Sequence, residues 1–222
     1  MPQFFKRKNR LPSRSLEEIK GLTQILFIDD HQFEVVELLV DNGWQNTKRL
    51  KDIENLDRSE IASAHLFFVD IQGVGRKLGF ADEGLGLCRA LKEKYPSKFV
   101  ILYSAQTEGD RFDDTLDIVD ARIRKNADQY EFIRKAEQYG RRAFALEESL
   151  HRIAEIIGRE TGQTMDPNDV KKRVLKLAGK KSFDVESIVK TLKVGVEVAK
   201  ILFPIVATFL EKSSGSAANV QK

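Results

Sequence analysis

The sequence predicts an α/β chain, a doubly wound five-stranded parallel sheet followed by an α-helical C-terminal region. Three observations carry this reading. Short continuous apolar runs recur at residues 24–28 (QILFI), 66–69 (LFFV) and 99–103 (FVILY), and each stops at a polar residue: Asp29, Asp70 and Ser104. Runs of this length suit strands buried on both faces. Stretches with helical spacing lie between them, so strand and helix alternate. From about residue 138 to about residue 212, the pattern is that of successive helices.

The elements follow in order. Residues 1–21 read as a basic N-terminal arm with a short helix near Leu16–Leu22; Lys6-Arg7-Lys8 would suit an acidic surface. No apolar core follows these basic residues, so the start does not read as a signal peptide. The first strand is 24–28. A helix from Phe33 to Val40 ends at Asn42-Gly43, a C-cap pair. Trp44 then packs at the start of a weaker strand over 45–49. The strand at 66–69 precedes a helix over 83–95, with Leu87 and Leu91 inward, stopped by Pro96. Cys88 lies on that helix as a core residue. After the strand at 99–103 comes a short one over 121–124, then a helix through about 131–139.

Composition narrows the function classes. The 222 residues are 41% hydrophobic and 32% charged, a soluble globular balance. One cysteine permits neither an intrachain disulfide nor a Cys-based zinc site, and the scattered His31, His65 and His151 do not form a multi-histidine site. A cytoplasmic location is expected. The net charge of +3 does not mark a nucleic-acid binder. It does hide a split: about +4 over residues 1–21, −6 over 22–137 and +5 over 138–222. Neither G-x-x-x-x-G-K-[ST] nor G-x-G-x-x-G occurs, which argues against nucleotide binding.

Ligands of such sheets sit beyond the carboxyl ends of the strands. Asp29, Asp30, Asp70, Ser104 and Lys125 would therefore converge on one edge. Grouped carboxylates repel unless a cation joins them, and hard oxygen ligands suit Mg2+. Asp70 would then be a nucleophile toward phosphorus, with Lys125 and the Ser104 hydroxyl on the phosphoryl oxygens. His31, next to the acidic pair, is either a tuning group or an exposed loop histidine.

At these residues the chain resembles the receiver domain of bacterial response regulators, the CheY-like family with a flavodoxin-like fold. The resemblance rests on FIDD (27–30), FVDI (68–71), DEGLGLCRALK (82–92), LYSA (102–105) and RKN (124–126), and covers about residues 22–139. It implies Mg2+ held by Asp30 directly, by Asp29 partly through water, by Asp70 and by the Gln72 backbone carbonyl. It implies Asp70 as phosphoacceptor, Ser104 as switch hydroxyl with Ala105 leaving it room, and Lys125 as phosphate partner. The phosphoryl donor would be a histidine kinase or phosphotransfer protein, with slow self-catalysed hydrolysis afterwards. The only catalysis implied is this self-catalysed phosphoryl chemistry. The sequence departs from the family at Asn126, in place of proline, and at Ile123, in place of the switch aromatic. The loop over 72–84 is longer than usual and glycine-rich, carries Arg76 and Lys77, and has Val74 where proline is common; it would suit closing over the site or binding a partner.

The domain reading is an arm over 1–21, a receiver over 22–139, a helical region over 140–212 and a flexible tail over 213–222. Within the helical region, one helix is expected over 140–159, a second from Asp166-Pro167 to Gly179, and a third from about 182–184 to Leu210 kinked at Pro204. The apolar stretch 194–210 would span about 25 Å, short of a bilayer core of about 30 Å, and contains Glu197 and Lys200. A buried or homo-oligomerising helix is expected rather than a membrane element. The basic segment 171–181 reads as a solvated face rather than a DNA-recognition helix.

Three functions stay open. The first is a phosphoaspartate regulator whose helical region relays the signal to self-association or a protein partner. The second is a phosphorylation-independent adaptor. The third is a membrane-active effector acting through the apolar helix.

Overall fold

A computed structural model describes residues 14–104, 118–124, 126–178 and 184–210. They divide into two compact units, one from Arg14 to Ala145 and one beginning at Leu146.

In the first unit the elements are α1 (Leu16–Leu22), β1 (Ile25–Ile28), α2 (Val35–Asp41), β2 (Thr47–Leu50), α3 (Ser59–Ser63), β3 (Leu66–Asp70), α4 (Gly84–Lys94), β4 (Phe99–Ser104), β5 (Ala121–Arg124) and α5 (Gln129–Phe144). All strand pairs are parallel, in the order β2-β1-β3-β4-β5. This is the flavodoxin-like order, and its switch point lies between β1 and β3. β1, β3 and β4 are buried along their whole length, which is why they read as unbroken apolar runs rather than alternating ones.

Each face of the sheet carries its own core. On one, Phe27, Phe68, Tyr103 and Ile123 meet Ile19 of α1, Leu39 of α2 and Phe132 of α5. On the other, Ile28, Phe67, Val69 and Leu102 meet Ile61 of α3 and Leu87, Cys88 and Leu91 of α4. Trp44, fully buried, packs against Gly140, where an added Cβ would come within 2.8 Å of the indole ring.

Local signals place the helix ends. Ser15 and Glu18 form a capping box at α1: the Glu18 N–H donates to Ser15 Oγ (3.3 Å) and the Ser15 N–H to Glu18 Oε2 (2.8 Å). Asp128 caps α5, accepting the Tyr130 N–H at 2.9 Å. Gly43 follows α2 at φ +93°, a conformation that glycine adopts freely.

Several elements differ from the sequence expectation. Residues 14–21 pack into the sheet unit through Ile19, and the helix expected to end near 139 runs to Phe144. The second strand is Thr47–Leu50 rather than 45–49, and α3 adds a five-residue helix too short to show a period.

The second unit contains α6 (Leu146–Thr161), α7 (Pro167–Ala178), α8 (Val185–Ile188), a π-helical turn (Val189–Lys193) and α9 (Val196–Leu210). Ala145 is extended, so α5 and α6 are separate helices rather than one running through residue 140. Asp166 accepts the Asn168 N–H at 2.7 Å and starts α7, with Pro167 at its first position. The expected third helix is broken: Lys193 takes φ +60° and Val194 is extended. A straight helix over 185–210 would be about 39 Å long. The break instead lets Ile188 and Leu192 share one core with Val198, Leu202 and Val206 of α9, together with Ile153, Ile157 and Val174. Pro204 sits within α9. Among the described residues, no helix is long and apolar enough to cross a membrane.

Candidate functional site

The site forms at the carboxyl ends of the central strands, at the switch point. β1 ends at Ile28, and Asp29 and Asp30 follow it directly. Asp70 is the last residue of β3. Ser104 is the last of β4, and Asp70 pairs in register with Tyr103, one residue before it. Asp29, Asp70 and Ser104 are buried, at 0%, 4% and 4% exposure. Asp30, Asp70 and Gln72 line one open cleft of about 560 Å³, whose rim is formed by His31, Gly73, Arg76 and Glu83. Lys125 and Ala105 lie outside the described residues.

The two adjacent aspartates are held differently. The Asp29 carboxylate accepts the His31 N–H at Oδ1 (2.9 Å) and the Tyr103 hydroxyl at Oδ2 (2.8 Å). Its backbone carbonyl accepts from the Arg49 guanidinium at 2.7 Å. Burial, and then the Asp29 charge, push the Tyr103 phenol well above its ordinary pKa, so it remains a donor. Asp30 is more open, with His31 Nδ1 at 2.7 Å from Oδ1. Asp29, Asp30 and His31 bring possible ligand atoms within 4.8 Å of one another.

The long loop after Asp70 is pinned from both sides. Asp52, beyond β2, accepts the N–H groups of Gly75 (2.6 Å) and Lys77 (3.1 Å). Lys77 also pairs with Glu54. Glu83 accepts the Gly73 N–H at Oε2 (2.7 Å), and Arg76 at Oε1 through Nε (3.1 Å) and Nη2 (2.7 Å). The Gly73 bond, then the Arg76 guanidinium, lower the Glu83 pKa. Gly73 has no room for a side chain because the Asp30 carboxylate occupies the place of its Cβ. Gly84 starts α4 directly over the Asp70 carbonyl, and an added Cβ would overlap that oxygen.

The donor set fits a hard divalent cation. The Asp30 and Asp70 carboxylates and Gln72 share one cleft, and all can offer oxygen. Both Asp29 oxygens are already engaged, which suits an indirect contact through water.

Sequence reasoning passed over Tyr103, Asp52, Arg76 and Glu83. Tyr103 had a readable signal: a hydroxyl on a strand otherwise apolar needs a buried partner. Asp52 and Glu83 act across 23 and 10 residues of chain, and no short motif encodes that.

No family model matches the chain, and no curated protein matches it. Solved structures do. A response regulator from Thermotoga maritima is 19% identical, with a TM-score of 0.41, covering 53% of this chain and 96% of that one. A CheY-like receiver domain from Methanospirillum hungatei is 17% identical, with a TM-score of 0.42, covering 54% and 94%. RcsB from Salmonella enterica serovar Typhimurium, bound to promoter P1flhDC in the presence of the phosphomimetic BeF3−, is 19% identical, with a TM-score of 0.43, covering 85% and 92%. These three structural neighbours are response regulators or their CheY-like receiver domains, and the receiver likeness spans about half of this chain.

Proposed function

We propose that this protein is a response regulator in which Asp70 accepts a phosphoryl group. The observation that supports it is the placement of Asp70: last residue of the central strand, buried, and opening into the cleft that Asp30 and Gln72 also line. The donor is a phosphohistidine of a histidine kinase or phosphotransfer protein. A new bond forms between an Asp70 carboxylate oxygen and phosphorus. The P–N bond to the donor imidazole breaks, and its electron pair stays on the imidazole.

Mg2+ would be held by Asp30, Asp70 and the Gln72 carbonyl, with Asp29 behind water, and would neutralise the carboxylates and draw charge from the phosphoryl oxygens. The Tyr103 hydroxyl, donating to Asp29 Oδ2, holds that carboxylate in place. Ser104 and Lys125 are assigned to the phosphoryl oxygens. New charge at this edge then biases the helical unit toward self-association or a protein partner. The likeness to promoter-bound RcsB is too loose to bring DNA binding to this chain.

Incubation of the full chain with Mg2+ and acetyl phosphate, followed by intact-mass analysis, tests the reading. A gain of about 80 Da, one phosphoryl group, is expected in the wild type and not in Asp70→Asn. No gain from either acetyl phosphate or a phosphohistidine donor would favour the adaptor function.

A further inference from the structure

We propose that Arg76 binds the phosphoryl oxygens on Asp70, moving between Glu83 and that group. The proposal rests on Asp70 as phosphoacceptor and adds a residue that the resemblance does not assign.

Arg76 shares the cleft with Asp70 and starts a 3₁₀ turn, Arg76–Leu78, bracketed by Gly75 (φ +77°) and Gly79 (φ +80°). The turn is fastened. The Asp52 carboxylate takes the N–H groups of Gly75 and Lys77, on either side of residue 76. The backbone of Arg76 is therefore placed, while its side chain is 64% exposed. Two of its five N–H donors go to one oxygen, Glu83 Oε1. The other three have no partner among the described residues. Glu83 is tied in turn through Oε2 to Gly73, so the guanidinium is parked at the rim rather than swinging in solvent.

A phosphoryl group would bring about two negative charges into a cleft that already holds Asp30, Asp70 and Glu83. Among the described lining residues, Arg76 alone carries a permanent positive charge. A guanidinium fork matches phosphoryl oxygens in geometry as well as charge. It can reach for them with its free donors or leave Glu83 altogether. If the guanidinium leaves, Arg76, 64% exposed, stays in contact with water and Glu83 keeps its Gly73 bond, so neither charge is stranded.

The test uses the full chain, Mg2+ and beryllofluoride as the phosphoryl mimic, with binding followed by 19F NMR. Wild type should show a bound signal. Arg76→Ala should weaken binding about tenfold, the worth of one charge-assisted contact. Arg76→Lys should recover part of it, because lysine supplies the charge without the fork. Lys77→Ala, whose side chain pairs with Glu54, should bind like wild type. If Arg76 only staples the loop, thermal stability will change and mimic affinity will not; equal affinity of wild type and Arg76→Ala overturns the proposal. Should Arg76→Ala not fold, Arg76→Gln is read the same way. Wild type that takes neither beryllofluoride nor a phosphoryl group sinks the Asp70 reading itself, which is a separate outcome.

Discussion

The two units solve the problem of burying apolar surface in opposite ways, and only one of them concentrates polar chemistry. In the sheet unit, three fully buried strands run out at the same edge, and each is followed or ended by a carboxylate or hydroxyl: Asp29, Asp70 and Ser104. In the helical unit, the apolar side chains of four helices and a π turn enclose one core. Its described ion pairs include Lys172–Asp169, Lys190–Glu186 and Lys200–Glu197, all one helical turn apart on exposed surfaces. Such pairs are worth a few tenths of a kcal/mol and converge on nothing. A parallel sheet forces strand ends together; a bundle has no comparable edge. That is why a site can be argued in one unit and only packing in the other.

The largest expected effect tests the edge. Gly84→Ala puts a Cβ into the Asp70 carbonyl and against Ile71 Cα. Neither backbone atom can give way easily, so a loss of about 4 kcal/mol is expected in denaturant unfolding. Phosphoryl acceptance should fall with it, because the strain lands on the residue before the loop.

Next comes the bundle. Leu202 is fully buried in the helical core, and Leu202→Ala should cost about 3 kcal/mol. Urea unfolding of this variant should show the loss, while acetyl phosphate labelling of the folded protein stays at the wild-type rate. Equal damage to labelling would break the division between the units.

A smaller effect comes from His65, whose Nδ1 accepts the Gln24 N–H at 3.0 Å at the entry to the sheet. Burial, then the Lys98 charge, lower its pKa from 6.5 to about 4. The folded state thus prefers the neutral ring. Below pH 6.5 the unfolded chain takes up a proton that the folded chain refuses, so stability falls as pH drops from about 6.5 to 4 and levels off below that. After allowing for partial exposure, the loss is about 1–2 kcal/mol. Denaturant midpoints of wild type and His65→Asn across this window should converge at low pH. An unchanged slope in the variant would assign the effect elsewhere.

Much of the sheet unit was legible because buried parallel strands leave a coarse signal. LFFV before Asp70 and FVILY before Ser104 place the strands and the polar residues that end them. The strand expected over 45–49 lies at Thr47–Leu50, because a strand that is only partly buried leaves a weak apolar signal. The break at Val194 was missed for a different reason. The apolar stripe of residues 185–199 suits one helix as well as two segments folded onto each other, and only the need to share a core decides between them. The cleft rim was illegible for a third reason: Arg76 and Glu83, and Asp52 that anchors the loop from outside the cleft, are ordinary surface residue types, brought together by a loop with positive-φ glycines at 73, 75 and 79.

The most direct test of the central claim is to locate the phosphoryl group. Protein treated with Mg2+ and acetyl phosphate is reduced with borohydride, which converts an aspartyl phosphate to homoserine, and the digested peptides are sequenced by mass spectrometry. Homoserine at position 70 and nowhere else is the predicted result. Homoserine at 29 or 30, or an unmodified Asp70 in protein that has gained the phosphoryl mass, would contradict it.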